Sequence, residues 1–241
     1  MDKLRPIQIA EKYAEETGLD TVELNFSRGK DSLAAWCIFV EAGLKVIPIY
    51  FYMFPGLEFE ERSLRYYEDR FKTSIHRLPH GFFQQLVRTG WYCDPLAFRS
   101  LCETGNLLRL RHNDDQVRDT LETLGRPEVF SAIAMKGFDS RSRMMFLHSQ
   151  GDVNHATKKL YPMAHTNNAG VWAILKTHRM PVAQDYKDFG RSCDLYDYRY
   201  MTVVKAKYPR DYAKIMDLFP LAEAILWRAK CGIRANPQSA A

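Results

Sequence analysis

VELNFSRGKDSLAAWCIFVEAG, residues 22–43, is the stretch whose reading decides the fold. Val22, Leu24 and Phe26 alternate with Glu23 and Asn25 as in a strand, and residues 33–41 then run apolar at helical spacing until Gly43 stops them. Between the two lies Ser27-Arg28-Gly29-Lys30-Asp31-Ser32, so the order is strand, tight loop, helix. A loop of this kind aims backbone N–H groups and the positive end of a helix dipole at one point, where an anion such as a phosphate is stabilised. Gly29 permits close approach of the chain, Ser27 and Ser32 offer hydroxyls, and Lys30 adds a full charge. Asp31 would repel a bare phosphate; it suits a place beside a magnesium ion or a cap on the helix.

Outward from that unit, residues 6–17 read as a helix with Pro6 at its start and Gly18 just past its end. Residues 46–52 form a continuous apolar run of strand length, the pattern of a strand covered on both faces of a parallel sheet. A charged helix is expected over 60–71, a short strand over 73–78 and a helix over 81–89. Residues 90–105 read as irregular, 107–124 as a longer helix ended by Gly125 and Pro127, and 129–135, VFSAIAM, as a fourth strand. This alternation implies an α/β fold with a doubly wound, mostly parallel sheet. Ligands of such sheets bind beyond the carboxyl ends of the strands, so residues 27–32, 53–58 and 136–143 are expected to converge. The organisation expected is a nucleotide-binding core over 1–150, a helical and loop-rich region over 151–234 packed on it, and a loose tail over 235–241.

A length of 241 residues suits one sizeable core or one α/β domain with a C-terminal appendage; 46% hydrophobic and 26% charged residues are those of a globular protein, and 13% aromatic content argues against long disorder. No apolar run reaches the length of a membrane span and the N-terminus has no signal-peptide core, which points to the cytoplasm and no membrane partner. A net charge of +5 with dispersed cations permits an anionic ligand; nucleic acid is allowed but not required. Five cysteines without a CxxC pair fit reduced thiols and argue against an iron–sulfur cluster built on Cys93, Cys102 and Cys193. Seven histidines without HxxxH spacing argue against zinc.

The loop is not a Walker A motif, since no glycine stands five positions before Gly29 and Asp31 occupies the Ser/Thr position. It resembles the PP-loop of ATP pyrophosphatases and sulfonucleotide reductases, Ser-x-Gly-x-Asp-Ser after the first strand. Arg28 stands where that family usually has a second glycine, and either crowds the loop or adds a cation for phosphate. Three further segments are similar to the phosphoadenylylsulfate (PAPS) reductase-like branch. Gly56-Leu57-Glu58-Phe59 matches its Thr-Gly-Leu-Glu-Phe stretch, with Phe54-Pro55 replacing Asp-Thr. Gly137-Phe138-Asp139-Ser140-Arg141-Ser142-Arg143 matches its Gly-x-Arg-x-x-Glu-Ser-x-x-Arg element, shortened by two. Residues 162–193 match its Pro, Val-Trp, Pro, Tyr, Gly, Arg and Cys positions, ending at Gly190, Arg191 and Cys193.

The resemblance implies an adenine nucleotide alpha hydrolase-like fold and an adenine nucleotide as ligand. It implies that Ser27, Arg28, Gly29, Lys30, Asp31, Ser32, Gly56, Glu58, Gly137, Asp139, Ser140, Arg143 and Arg191 contact that nucleotide, and that Asp31 places Mg²⁺. In one branch the α-phosphate of ATP is attacked by a substrate oxygen, releasing pyrophosphate and activating an acceptor in sulfur transfer or nucleic-acid modification; Lys30, Asp31 and Arg143 would serve that step, and a protein partner would supply acceptor or sulfur. In the other, a C-terminal cysteine reduces a sulfonucleotide, and Cys231 in Lys-Cys-Gly-Ile-Arg is the candidate. A third reading is a degenerate member that binds nucleotide and regulates a partner, fed by Arg28, Pro55 and the short loop at Gly137. Trp172, with Val171, Ile174 and Leu175, reads as core; the aromatic residues over 186–200 read as a nucleotide lid or a single-strand platform.

Overall fold

The computed structural model describes residues 4–104, 110–190 and 198–231. Its contacts divide the chain into two compact units that interleave along the sequence. The first comprises Met1–Phe51, Tyr66–Leu78 and Asp114–Ala183, the second Tyr52–Arg65, Pro79–Asn113 and Gln184–Ala241.

The first unit carries the sheet. Helix α1 (Pro6–Thr17) leads into β1 (Thr21–Asn25), α2 (Lys30–Glu41) and β2 (Lys45–Tyr52); α3 (Glu58–Phe71) passes from one unit to the other and is followed by β3 (His76–Pro79). Six strands lie in the order β3-β2-β1-β4-β6-β5, where β4 is Ser131–Ala132, β5 Val153–Asn154 and β6 Lys159–Leu160. The pairs β1/β2, β1/β4 and β4/β6 are parallel, and only the edge pair β5/β6 runs antiparallel. This is the mostly parallel α/β sheet that the alternating pattern implies.

Both faces of the sheet are covered. On one, Val22, Leu24 and Phe26 are fully buried, with the Phe26 ring edge-on to Trp36 of α2 at 4.9 Å and to Tyr67 of α3 at 5.5 Å. Trp36 stacks in turn on Phe71 at 4.2 Å. On the other, Ile47, Ile49 and Phe51 of β2 pack with Val117 and Leu121 of α6 (Asn113–Thr123) and with Val129. Strand alternation thus supplies two apolar faces, and each buries a helix.

Four differences from the sequence reading have local causes. Helix α6 begins at Asn113 and residues 110–112 of the helix expected from 107 are not helical, because the Arg111 N–H is taken by the Gln84 side chain and Asn113 Oδ1 accepts from Gly81 N; residues 107–109 lie outside the described residues. Residues 95–103, read as irregular, form α5 (Pro95–Glu103), whose N-cap Asp94 accepts from Ala97 N and whose first residue is Pro95. The fourth strand shortens to two residues. Trp172 of α8 (Asn168–Thr177) is 45% exposed, since the buried stripe of that helix is Val171 and Leu175 and Trp172 lies about 100° round from Val171.

The second unit is helical: α4 (Gly81–Thr89), α5, α9 (Gln184–Phe189), α10 (Tyr198–Lys207), α11 (Pro209–Leu218) and α12 (Ala224–Lys230), with the first turns of α3. Its core gathers Phe54, Leu57, Phe59, Leu86, Met201, Val204, Ile215 and Phe219. Among the described residues no helix is long and apolar enough to cross a membrane.

Candidate anion site at the β1–α2 loop

β1 is the strand from which the chain proceeds to neighbours on both sides, β2 and β4, so the crevice beyond the carboxyl ends of β1 and β4 is the topological switch point of the sheet. Residues 27–32 lie at the end of β1, and Lys136 follows β4. The loop is held by its own hydroxyls. Ser32 Oγ donates to Gly29 O at 3.1 Å, accepts from Ser27 N at 3.2 Å and stands 3.0 Å from Ser27 Oγ. Gly29 N points at Ser27 Oγ, 3.4 Å away.

Gly29 is the N-cap of α2, in an extended conformation and without a side-chain cap. The N–H groups of Lys30, Asp31 and Ser32 meet no acceptor among the described residues, and the first helical bond runs from Leu33 N to Gly29 O. Three donors therefore remain at the positive end of the helix. Asp31 does not cap them: its carboxylate turns to lysines. Lys30 Nζ lies 3.0 Å from Oδ2 and 3.2 Å from Oδ1, and Lys136 Nζ lies 2.9 Å from Oδ1.

The left-handed position in the loop belongs to Arg28, φ 61°, whose buried guanidinium lies 5.2 Å over the Tyr50 ring. A side chain thus sits in the backbone conformation that glycine adopts most readily.

Lys136 is the residue that no motif singled out, although it opens the 136–143 segment. It is 1% exposed, and its ammonium also donates to Asn168 Oδ1 at 2.7 Å and pairs with Asp139 Oδ1 at 3.3 Å. Its only signal in the sequence is position, a single cation directly after an apolar strand. Asp139 in turn accepts from Arg143 at 2.8 Å, and Ser140 caps α7 (Arg141–Gln150) by accepting from Arg143 N. Gly137 runs tight against α8's leading loop; a Cβ there would stand 3.2 Å from Ala164 O. The segments 27–32 and 136–143 are therefore brought together through Asp31, Lys136 and Asp139.

Gly56 and Glu58 belong to the second unit. Gly56 is left-handed at φ 68° and its carbonyl accepts from Lys214 Nζ, which also reaches Glu58 Oε1. The start of α3 is capped from a distance in sequence, with Glu58 N and Phe59 N donating to Asp211 at 2.6 and 3.2 Å. Cys231 follows α12 and is exposed, as is Cys102; Cys37 is buried and Cys93 half-buried. Burial pushes the Cys37 thiol up to about 12. Arg191 and Cys193 lie outside the described residues, as do the other residues of 191–197 within the aromatic segment expected over 186–200. Among the described residues no group of three or more His, Cys, Asp or Glu is arranged to hold a metal ion.

No protein-family model matches the sequence, and no curated protein matches it. Among solved structures the chain is similar to the NH3-dependent NAD synthetase of Campylobacter jejuni subsp. jejuni, at 10% identity over 93% of each chain with a TM-score of 0.47. It is similar to the U34-tRNA thiolase NcsA of Methanococcus maripaludis, solved with its 4Fe-4S cluster, at 13% identity over 90% of this chain and 80% of that one, TM-score 0.46. Yeast FAD synthetase in complex with FAD is a third, at 12% identity over 95% and 85% of the two chains, TM-score 0.48.

Proposed function

We propose that the β1–α2 loop binds the polyphosphate of ATP and that the protein cleaves ATP between its α- and β-phosphates to activate an acceptor, as the resemblance of the loop to the PP-loop implies. The observation that carries this reading is the start of α2, where three N–H groups without acceptors among the described residues and two lysines meet at the switch point of a parallel sheet. Such a site favours an anion of high charge. An acceptor oxygen would form a bond to the α-phosphorus while pyrophosphate leaves. The need at that moment is for cations and N–H donors fixed around the leaving group, and Lys30, Lys136 and the α2 amides are already held by α2 and by the buried network of Lys136.

Magnesium suits the donor set. It binds through one or two carboxylates together with phosphate oxygens, and Asp31 and Asp139 are two partly exposed carboxylates that share Lys136. Bound there, it would offset charge on the phosphates; Asp31 would hold it. Arg143, half-exposed and paired with Asp139, offers a guanidinium for phosphate at the same edge.

Titration calorimetry with magnesium present tests the reading, comparing ATP with phosphoadenylyl sulfate. Preference for ATP is expected. Lys30→Ala should weaken ATP binding by roughly tenfold to a hundredfold, the loss of one charge-assisted contact, with an unchanged unfolding midpoint. Unaltered affinity in that variant would remove the loop from the site. A preference for the sulfonucleotide would instead favour a reductase acting through Cys231. If neither nucleotide binds, ATP activation is excluded and a non-catalytic role in complex with a partner takes its place.

A further inference from the structure

The carboxylate of Asp31 stands between two ammonium groups at the place where the loop would receive phosphate. Lys30 Nζ contacts both of its oxygens, and Lys136 Nζ contacts Oδ1 at 2.9 Å. To an ammonium group, carboxylate and phosphate oxygens are alternative partners of the same kind. Asp31 is thus an internal anion occupying the cations that an incoming polyphosphate needs. It also adds its own negative charge to the mouth of the α2 dipole.

The two lysines differ in what they keep when Asp31 leaves. Lys136 is buried, and Asn168 Oδ1 at 2.7 Å and Asp139 Oδ1 at 3.3 Å remain to satisfy it. Its ammonium stays in place without becoming an unpaired buried charge, a situation that would be strongly unfavourable. Lys30 has a long flexible stem and only Asp31 as its ion-pair partner among the described residues. Lys136 is therefore the fixed point, a positioning residue for Asp31, and Asp31 is the part that can change partner.

We propose that this arrangement makes polyphosphate binding conditional on a divalent cation: Asp31 gives up Lys30 and Lys136 when its oxygens turn to the cation, Lys136 stays held by Asn168 and Asp139, and the Lys30 ammonium becomes free for phosphate. The inference rests on the reading of the loop as a polyphosphate site and adds to it the sign of a coupling. Nucleotide and divalent cation each raise the affinity for the other, by the same factor, because both draw on the same carboxylate exchange. Replacing Asp31 by a neutral side chain should therefore strengthen nucleotide binding in the absence of metal, the reverse of what a simple phosphate- or metal-holding residue would do.

Calorimetry on the full chain with ATP, once with magnesium and once with EDTA, distinguishes these. For the unaltered protein the magnesium condition should bind at least roughly tenfold tighter, the worth of one charge-assisted contact. In Asp31→Asn the affinity in EDTA should rise by about the same factor and the ratio between the two conditions should fall towards one. Asp31→Ala should change in the same direction, and circular dichroism of both variants should match the parent. A loss of affinity in EDTA for both variants, or an unaltered protein indifferent to magnesium, would overturn the coupling while leaving the loop as a nucleotide site. Absence of ATP binding by the unaltered protein in either condition would overturn both.

Discussion

Two helices of this chain begin just after parallel strands, and their starts are treated in opposite ways. At α2 the cap is a glycine without a side-chain acceptor, and the first N–H groups meet none among the described residues. At α3 a buried carboxylate, Asp211, has been brought from more than 150 residues away to receive the N–H groups of Glu58 and Phe59. The resemblance to the reductase-like branch implies nucleotide contacts at both. Physically, the start of α3 already has its anion, supplied by the chain, whereas the start of α2 keeps its donors and places its carboxylate on lysines instead. A helix start alone says little about ligand binding; what decides is whether an internal acceptor has taken it.

The largest effect expected from breaking this contrast lies at α3. Asp211 is 2% exposed and accepts two backbone bonds, so Asp211→Ala removes a cap and strands two donors, the Phe59 N–H buried and the Glu58 N–H partly so, in one step. Urea unfolding should show a loss of about 2–4 kcal/mol, at the upper end for a cap because two bonds to a charged group go together. Asp211→Asn, which retains one acceptor, should lose about half of that. A variant as stable as the parent would mean that the α3 start is held by other contacts, and the contrast with α2 would lose its meaning.

A third carboxyl sharpens the comparison by lacking what the other two have. Glu23 of β1 is fully buried on the α6 face of the sheet; Asn25 donates to Oε2 at 3.2 Å, while Oε1 meets no partner among the described residues. Burial pushes its carboxyl up from 4.5 to about 8, against the opposing pull of Ser131 and Lys159. The folded protein thus holds a proton that the unfolded chain releases near pH 4.5, so stability contributed by neutral Glu23 is full below that value and is lost as pH rises to about 8. Glu23→Gln keeps the shape and cannot ionise. The variant should match the parent near pH 5 and exceed it by about 1–3 kcal/mol at pH 9, read as a difference in thermal midpoint across pH. Parallel pH profiles for the two proteins would show that Glu23 is ionised and paired in the fold.

The parts of the fold that were legible are those where local chemistry and tertiary packing agree. Helices α1 and α4 have the expected bounds because Pro6, Gly18 and Gly90 punctuate them, and the two glycines adopt the left-handed conformation that ends a helix. Helix α5 was equally legible in principle, from Asp94 followed by Pro95, but it is a short helix that buries none of its residues, so no core-facing stripe marks it. The start of α6 was not, because it depends on Gln84, 27 residues earlier, taking the Arg111 N–H. In the candidate site, Ser27, Gly29, Lys30, Asp31 and Ser32 announce themselves as a contiguous pattern. Lys136 does not, and neither does Asp211 at the start of α3 in the second unit. Each acts through a partner more than 100 residues away, and a lone lysine after a strand or a lone aspartate in a helix has no spacing to read.

The smallest expected effect concerns the one place in the α2 start where the chain accepts strain. Arg28 is left-handed at φ 61°, a conformation that disfavours any residue with a Cβ by about 1–2 kcal/mol. Its side chain is buried over Tyr50, so truncation removes that contact as well, and a single variant would mix the two effects. A pair separates them. Arg28→Gly and Arg28→Ala lose the same side-chain interactions, but only glycine is relieved of the backbone strain. Although glycine also gains freedom in the unfolded chain, the native conformation here is one that alanine resists, so Arg28→Gly should be the more stable of the two by about 1 kcal/mol in urea unfolding. Equal midpoints would mean that the loop relaxes when the arginine is removed. That outcome would identify the arginine side chain, rather than the strand-to-helix turn, as the source of the left-handed residue, and the open start of α2 would then depend on a contact made one strand away.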